Sequence, residues 1–424
     1  MISEQDFTSI LFAYPQIRSK IAIAISGGPD SLCLMLLLHE WVKKNHRTLV
    51  AITCDHGLRS ESSTEALWVK NICNALNIEH HILTLEGAKP KTGIQEWARL
   101  KRYEAFELFC IKYNIQDLFL AHHQDDQIET FLMRLLAKST WYGLASMPVF
   151  QQGKIINLVR PLLHHTKNNL IETLQRFNAK IWMNDPSNNN KKYLRSQIRH
   201  ELIPSLPIEM NAEYLVKTID DIRFYRDELD EEVNYLHDKH IIYHLEGYAQ
   251  FKQHILHELP QNIVVLLLKK CLKNIGAHKN PIRYDALLNL IEKLRLDTKK
   301  ITLAHCLIEL QKDVVYIFRE NRHLPNPQLL KGKGFCIWDN RYLVKYDLND
   351  AQNYSLEPIG ENIKNVDPIL LKSYRKKAFF SFPVLKGVDG FIHLPHLCYS
   401  TIDVFLKVDF LPLWRKNCLE GNTI

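Results

Sequence analysis

The sequence predicts an α/β protein with a doubly wound parallel sheet in its N-terminal half. A helical/α+β middle region and a small α+β C-terminal region are expected to follow. Three observations support this. Short runs that read as strands recur at 21–25, 49–54, 81–85 and 118–121, the first of small and β-branched apolar residues typical of a strand buried on both faces. Longer stretches of helical periodicity lie between them, so strand and helix alternate. Past about residue 207 the alternation stops, which gives expected domain bounds of 1–206, 207–330 and 331–424.

The first run leads into Ser26-Gly27-Gly28-Pro29-Asp30-Ser31 and then into an apolar helical stretch. Pro29 suits the first turn of a helix, where its missing N–H is not needed. A strand, a glycine turn and a helix start together aim backbone N–H groups at one point, which suits a phosphate. The spacing matches neither a Lys-Ser/Thr phosphate loop nor a dinucleotide fingerprint, and Gly-Gly-Pro-Asp is also ordinary turn chemistry. Asp30 places an anion where an anionic ligand would lie, a conflict that a divalent cation would bridge.

The second run ends in Asp55-His56-Gly57-Leu58-Arg59, with Ser60 expected to cap the next helix; this cluster reads equally well as a plain turn. A helix over 94–113 carries Arg99 and Arg102 on one face. The fourth run ends in His122-His123-Gln124-Asp125-Asp126-Gln127-Ile128-Glu129-Thr130, where His122, Asp125, Asp126 and Glu129 have the spacing of a single helical face. Acids at a helix start complement its dipole. A histidine, two aspartates and a glutamate exceed that need, and a hard-cation site explains the excess. Ligands of doubly wound sheets lie beyond the carboxyl ends of the strands, so the clusters at 26–31, 55–59 and 122–130 are expected to meet in one crevice.

Farther on, 157–163 reads as a short strand ending in a proline and 182–188 as a turn-rich segment. Tyr193, Arg195, Arg199 and His200 form a basic patch beside an aromatic, suited to an RNA backbone and a stacked base or to a solvated helix face. Helices are expected over 214–237, 263–268 and 284–294, and strands over 302–310 and 314–318. A strand pair is expected over 335–346 with Asp339-Asn340 as its turn. The basic run 371–377 reads as an RNA contact or a solvated face.

Composition narrows the function class. A chain of 424 residues exceeds one compact domain, and 46% hydrophobic content supports more than one core. The net charge of +7 permits an anionic partner such as RNA without requiring one. The nine cysteines are scattered with no Cys-x-x-Cys pair, so neither a zinc knuckle nor an iron–sulfur motif is visible. Cys33, Cys54 and Cys110 lie in apolar runs and read as buried thiols of a reducing, cytoplasmic compartment. The N-terminal residues are polar and no apolar run is long enough for a bilayer, so no membrane partner is expected.

Ser-Gly-Gly-x-Asp-Ser after a strand resembles the loop of the N-type ATP pyrophosphatases, whose fold is PP-loop and Rossmann-like. Further motifs are Asp-His-Gly-Leu-Arg at 55–59, Ala-Arg-x-x-Arg-Tyr at 98–103 and His-x-x-Asp-Asp-Gln-x-Glu-Thr at 122–130. Arg-Pro-Leu at 160–162 and Asp-x-Ser-Asn…Arg-x-x-Ile-Arg at 185–199 complete the series. Over 20–205 this order resembles tRNA(Ile)-lysidine synthetases. The resemblance implies ATP and Mg²⁺ as cofactors, and tRNA(Ile) with a CAU anticodon and free L-lysine as partners. It implies adenylation of the wobble cytidine at its C2 oxygen, then displacement of AMP by the lysine ε-amine. On this basis Ser26, Gly27, Gly28, Pro29, Asp30, Ser31, His56 and His122 would bind nucleotide, and Asp30, Asp125 and Asp126 would hold the metal. The catalytic set would be Asp30, Asp126, Arg99, Arg199 and Glu129, with the arginines stabilising charge and Glu129 orienting the lysine amine. Self-association into a homodimer is left open.

Three rivals stand beside this reading: a tRNA thiolase of the same superfamily, a small-molecule amide synthetase, and a tRNA-binding protein with a degenerate nucleotide site. The chain also departs from the resemblance twice. Ala137-Lys138-Ser139-Thr140 stands where Arg-Gly-Ser-Gly is usual, and Arg195-Ser196 where Arg-Asn is usual. Both departures bear on the placing of substrate rather than on ATP chemistry.

Overall fold

The computed structural model describes residues 1–14, 17–55, 62–85, 90, 92–179, 181–183, 194–278, 280–348, 353–366, 375–387, 392–394, 399–400 and 407–414. His56, Ser60, Tyr193 and the segments 184–190 and 371–374 lie outside them. The chain divides into two compact units, Met1–Glu228 and Leu229–Ile424.

The first unit alternates helix and strand: α1 (Glu4–Phe12), β1 (Lys20–Ala24), α2 (Pro29–Lys44), β2 (Thr48–Asp55), α3 (Ser62–Ala75), β3 (Glu79–Thr84), α4 (Ile94–Lys112), β4 (Asp117–Phe119), α5 (Gln124–Leu136), α6 (Trp141–Leu144), β5 (Phe150–Gln151), β6 (Asn157–Val159) and α7 (Lys167–Arg176). The sheet order is β3-β2-β1-β4-β6-β5, parallel except for the β5–β6 pair at one edge. Successive strands add on one side of β1 up to β3, and β4 then returns to its other side, so Ile21 pairs with both Leu49 and Asp117. That reversal opens a crevice at the carboxyl ends of β1 and β4. Ile21, Ala22 and Ile23 are fully buried, as a strand covered on both faces requires. Ile21 and Ile23 share one core with Phe7, Leu11, Leu34, Leu38, Val69, Leu170 and Leu174. A second cluster joins Ile128, Phe131 and Leu132 of α5 to Ile198, Leu215 and Ile219; the last two belong to the long helix Ala212–His240.

In the second unit β7 (Ile242–His244), β8 (Tyr248–Lys252), β9 (Lys300–Leu303), β10 (Cys306–Gln311) and β11 (Val314–Arg319) form an antiparallel sheet in the order β7-β8-β11-β10-β9. Helices Gln261–Gly276 and Tyr284–Arg295 pack on it. Two further sheets follow: β12 (Gln328–Leu330), β15 (Tyr354–Pro358), β16 (Pro383–Gly387), β17 (Ile392–Leu394) and β18 (Tyr399–Ser400) in that order, and a three-stranded sheet of β13 (Lys333–Trp338), β14 (Tyr342–Asp347) and β19 (Lys407–Pro412) in that order. Asp339 and Asn340 turn between β13 and β14 with φ of 47° and 48°, as a hairpin with two left-handed residues requires.

The expectation of one strand over 302–310 is corrected. β9 and β10 are a hairpin, turning at Ala304 (φ 50°) and His305 (φ 59°). Neither residue is a customary turn former, so local chemistry did not mark the break. Part of the basic run at 371–377 also contacts the antiparallel sheet. The Arg375 guanidinium lies 3.6 Å from the Tyr316 ring centroid, and Lys377 Nζ bonds Glu309 at 2.6 Å.

Candidate active site

The loop after β1 is held in shape by its own polar groups. Gly27 has a φ of 83°, where any Cβ is strained, and a Cβ there would meet Val69 Cγ2 at 3.2 Å and Met183 Cγ at 3.4 Å. Ser31 is buried. Its hydroxyl accepts from the Ser26 N–H at 3.2 Å and donates to the Gly28 carbonyl at 3.0 Å. Ser31 thus braces the turn from inside, while Ser26 is exposed. Gly28 and Pro29 open α2 with no side-chain cap, so the first N–H groups of the helix remain for a ligand.

The other wall starts at the end of β4. His123 caps α5: its Nδ1 accepts from the Asp125 N–H at 3.3 Å, and the Asp126 carboxylate accepts from the His123 N–H at 2.9 Å. The buried His123 ring therefore points Nε2 into the crevice, 3.7 Å from Asp30 and 3.8 Å from Asp126. Carboxylates from two strand ends are thus brought to one imidazole nitrogen. Asp30 Oδ1 also accepts from Lys167 Nζ, at the first residue of α7. A pair this exposed contributes about 0–1 kcal/mol to stability.

Glu129 is fully buried, one turn along α5 from Asp126. Arg195 Nε reaches one of its oxygens at 2.5 Å and Arg199 Nε the other at 2.6 Å, and Arg195 Nη2 extends to Asp126 at 2.6 Å. Arg199 lies in a π-helical turn, Ile198–Leu202, a local widening often found at functional sites. Burial alone would push the Asp126 carboxyl up. The charges of His123 and Arg195 and the His123 N–H bond outweigh it and hold it below the usual range. Asp125, chiefly through burial, is pushed up, and Arg199 is raised by its bond to Glu129. His122 precedes the helix cap, so it does not share the helical face expected for it. Burial, reinforced by Arg160, Arg195 and Arg99 and opposed by Asp126, lowers its pKa to about 4. Its Nδ1 is buried without a protein hydrogen-bond partner.

Ser26, Gly27, Gly28, Pro29 and Asp30 thus lie beyond the end of β1, facing His122, Asp125 and Asp126 beyond the end of β4, with Glu129 and Arg199 paired behind them. Arg99, on α4, is exposed with its guanidinium 5.1 Å from the Tyr103 ring centroid, and is near enough to bear on His122. Arg195 and Arg199 are turned onto the acids of α5 rather than forming an open basic patch. Both Glu129 oxygens are already engaged, so Glu129 meets these arginines and not the crevice directly. Sequence reasoning missed His123 and Lys167. Thr166 and Asn169 form a capping box that marks the start of α7, but no local signal ties Lys167 to Asp30, 137 residues earlier. The segment that departs from the resemblance closes α5. Lys138 takes a φ of 53°, its N–H bonds the Leu135 carbonyl at 2.9 Å, and the Ser139 N–H bonds that of Arg134 at 2.9 Å. A lysine fills the left-handed position that glycine usually takes.

A glycine loop opening a helix at the reversal point of a parallel sheet, faced by acids from the next strand over, defines a PP-loop ATP-binding domain. The model of the PP-loop domain family matches residues 3–206. Similarity extends well past that domain. A tRNA(Ile)-lysidine synthase of Orientia tsutsugamushi (strain Boryong) is 32% identical over 403 residues, 90% of this chain and 89% of the relative. One of Rickettsia akari (strain Hartford) is 29% identical over 405 residues, 93% of each chain. The chain belongs to the tRNA(Ile)-lysidine synthase family. Among solved structures, a U34-tRNA thiolase, NcsA from Methanococcus maripaludis with its [4Fe-4S] cluster, aligns with a TM-score of 0.44 at 17% identity, over 54% of this chain and 78% of that one.

Proposed function

We infer that this chain uses ATP to join free L-lysine to C2 of the wobble cytidine in tRNA(Ile) with a CAU anticodon. The observation that carries this reading is the extent of the family match, which spans nine tenths of the chain rather than the ATP-binding domain alone. The C2 oxygen attacks the α-phosphorus and pyrophosphate leaves. The lysine ε-amine then forms a bond to C2 and gives up a proton. The C2–O bond breaks, and AMP departs with that oxygen, leaving lysidine. The α2 N-terminus and the amides of Gly27 and Gly28 cradle the pyrophosphate end. Arg99 supplies positive charge beside it. Glu129, through its two arginines, positions Arg195 and Arg199 at the edge of the crevice, where Arg199 offsets developing charge.

The residues fit Mg²⁺. Asp30 and Asp126 are hard oxygen donors near one imidazole nitrogen, and the half-exposed Asp125 stands beside them. Among the described residues no three acidic, histidine or cysteine side chains are assembled as a ready cage. One or two carboxylates with the phosphates of the nucleotide is the usual Mg²⁺ arrangement. When bound, the ion would neutralise charge on the triphosphate.

Thiolation is disfavoured by the cysteines near this sheet. Burial, first of all, holds Cys33 and Cys110 at about 12 and Cys54 at about 11, so the thiols stay protonated. No described helix is long and apolar enough to cross a membrane, and we place the reaction in the cytoplasm. We further assign the chemistry to 1–206 and tRNA grip to 331–424, with 207–330 as a helical/α+β region between them.

The test is incubation with ATP, labelled lysine and a CAU-anticodon tRNA transcript. Label should enter the RNA with one AMP formed per lysine, and Asp30→Ala should abolish AMP formation while tRNA binding survives. ADP as the product, or labelling without ATP, would overturn the reading.

A further inference from the structure

We propose that Lys167 is a phosphate-binding residue, parked on Asp30 in the free enzyme and transferred to the pyrophosphate end of ATP when nucleotide enters. This rests on the nucleotide reading above and adds a residue to it. Lys167 is the first residue of α7, where the helix dipole disfavours a cation. Thr166 and Asn169 already satisfy that helix end through their reciprocal bonds, 3.2 Å to the Asn169 N–H and 3.1 Å to the Thr166 N–H, so the lysine has no capping duty. Neither helix stability nor capping explains its position.

The backbone beneath it is fixed from two sides. The Gln124 N–H at the start of α5 bonds the His165 carbonyl at 3.0 Å, and farther along α7 Arg176 pairs with Glu40 of α2 at 3.0 Å. The starts of α2, α5 and α7 meet here through Lys167–Asp30 and Gln124–His165, and of the three only α2 begins without a side-chain cap, so its N–H groups are the ones left for an anion. The Lys167 side chain itself is 38% exposed and long, free to change rotamer over a rigid base. Its partner Asp30 lies in the loop whose amides face the phosphates. Once that carboxylate turns to a cation carried with the triphosphate, the ammonium loses its anion, and the nearest replacement is the phosphate beside it. Electrostatically this is an exchange of partners, with no buried charge left alone at either stage.

The experiment titrates the full-length chain with inorganic pyrophosphate and, separately, with AMP in the presence of Mg²⁺, for wild type, Lys167→Met, Lys167→Gln and Lys167→Arg. Ligand-free melting is followed alongside. Pyrophosphate affinity should fall by about 10–100-fold in the Met and Gln variants and stay close to wild type in the Arg variant. AMP affinity and ligand-free melting should hold in all. Wild-type pyrophosphate affinity in both neutral variants would overturn the proposal, as would an equal loss for AMP and pyrophosphate, which would mean a distorted site. A wild-type chain that binds neither pyrophosphate nor AMP would bring down the nucleotide reading itself.

Discussion

Removing Glu129 and removing the arginines that hold it should destabilise the first unit unequally. Glu129→Gln keeps the shape of the side chain and deletes its charge. Hydrogen bonds to charged groups are worth about 1.5–3 kcal/mol each, and Arg195 and Arg199 make one each. Both guanidiniums are about 40% exposed, so once released they turn into water and recover hydration. The net cost of Glu129→Gln should therefore be about 1–3 kcal/mol. Arg195→Met with Arg199→Met deletes only half-exposed groups, yet it strands a carboxylate of 0% exposure, a cost of about 3–5 kcal/mol. Asp126 also loses Arg195 but keeps the His123 N–H. Adding Glu129→Gln to the arginine pair removes the stranded charge and should return about 1–3 kcal/mol. Native-state hydrogen exchange of the α5 amides against urea is the suitable assay, because a chain of two compact units need not unfold in one step. If the arginine pair variant is as stable as Glu129→Gln, or the triple variant is no better than the pair, the buried acid does not depend on these arginines and the reasoning fails.

Lys138→Gly should raise stability by about 0.5–1 kcal/mol, read from a higher denaturation midpoint, because the residue sits in the left-handed region at the end of α5; a fall in stability would show that the lysine side chain contributes more than its strain. Gly27→Ala should lower stability by about 1–3 kcal/mol and weaken binding of a fluorescent ATP analogue, since the backbone is at φ 83° and Val69 and Met183 crowd the new methyl. Wild-type binding would mean that the loop relaxes without loss. Burial first of all depresses His122 and His80 from 6.5 to about 4. The folded state then refuses protons that the unfolded state takes up, so stability is fully present above 6.5 and falls as pH drops toward 4, by about 1–2 kcal/mol per histidine at pH 5. Denaturant midpoints at pH 7 and pH 5 should lie closer together in His80→Gln than in wild type, and equal spacing would reject the assignment.

The strand and helix pattern of the first unit was readable because each element carries its own cause. β1 is a short apolar run, Gly27 and Pro29 mark the turn and the helix start, and acids open α5. The hairpin at Ala304 and His305 was not readable, because tertiary pairing holds those residues in a turn that their own chemistry does not favour. His123 was passed over for a related reason: histidine is a rare helix cap, and here the Asp126 carboxylate completes the reciprocal bonds that make it one.

From sequence alone came the glycine loop, the acidic helix start and their common place beyond the strand ends. All of these follow from periodicity and turn chemistry within a few residues. Only the folded chain decided which acid meets which cation. Lys167 reaches Asp30 across 137 residues, and Arg195 spans Asp126 and Glu129 from 69 and 66 residues away. Such pairs are set by how the chain crosses the sheet and where helix starts coincide, and the electrostatics at that meeting point belong to no single segment.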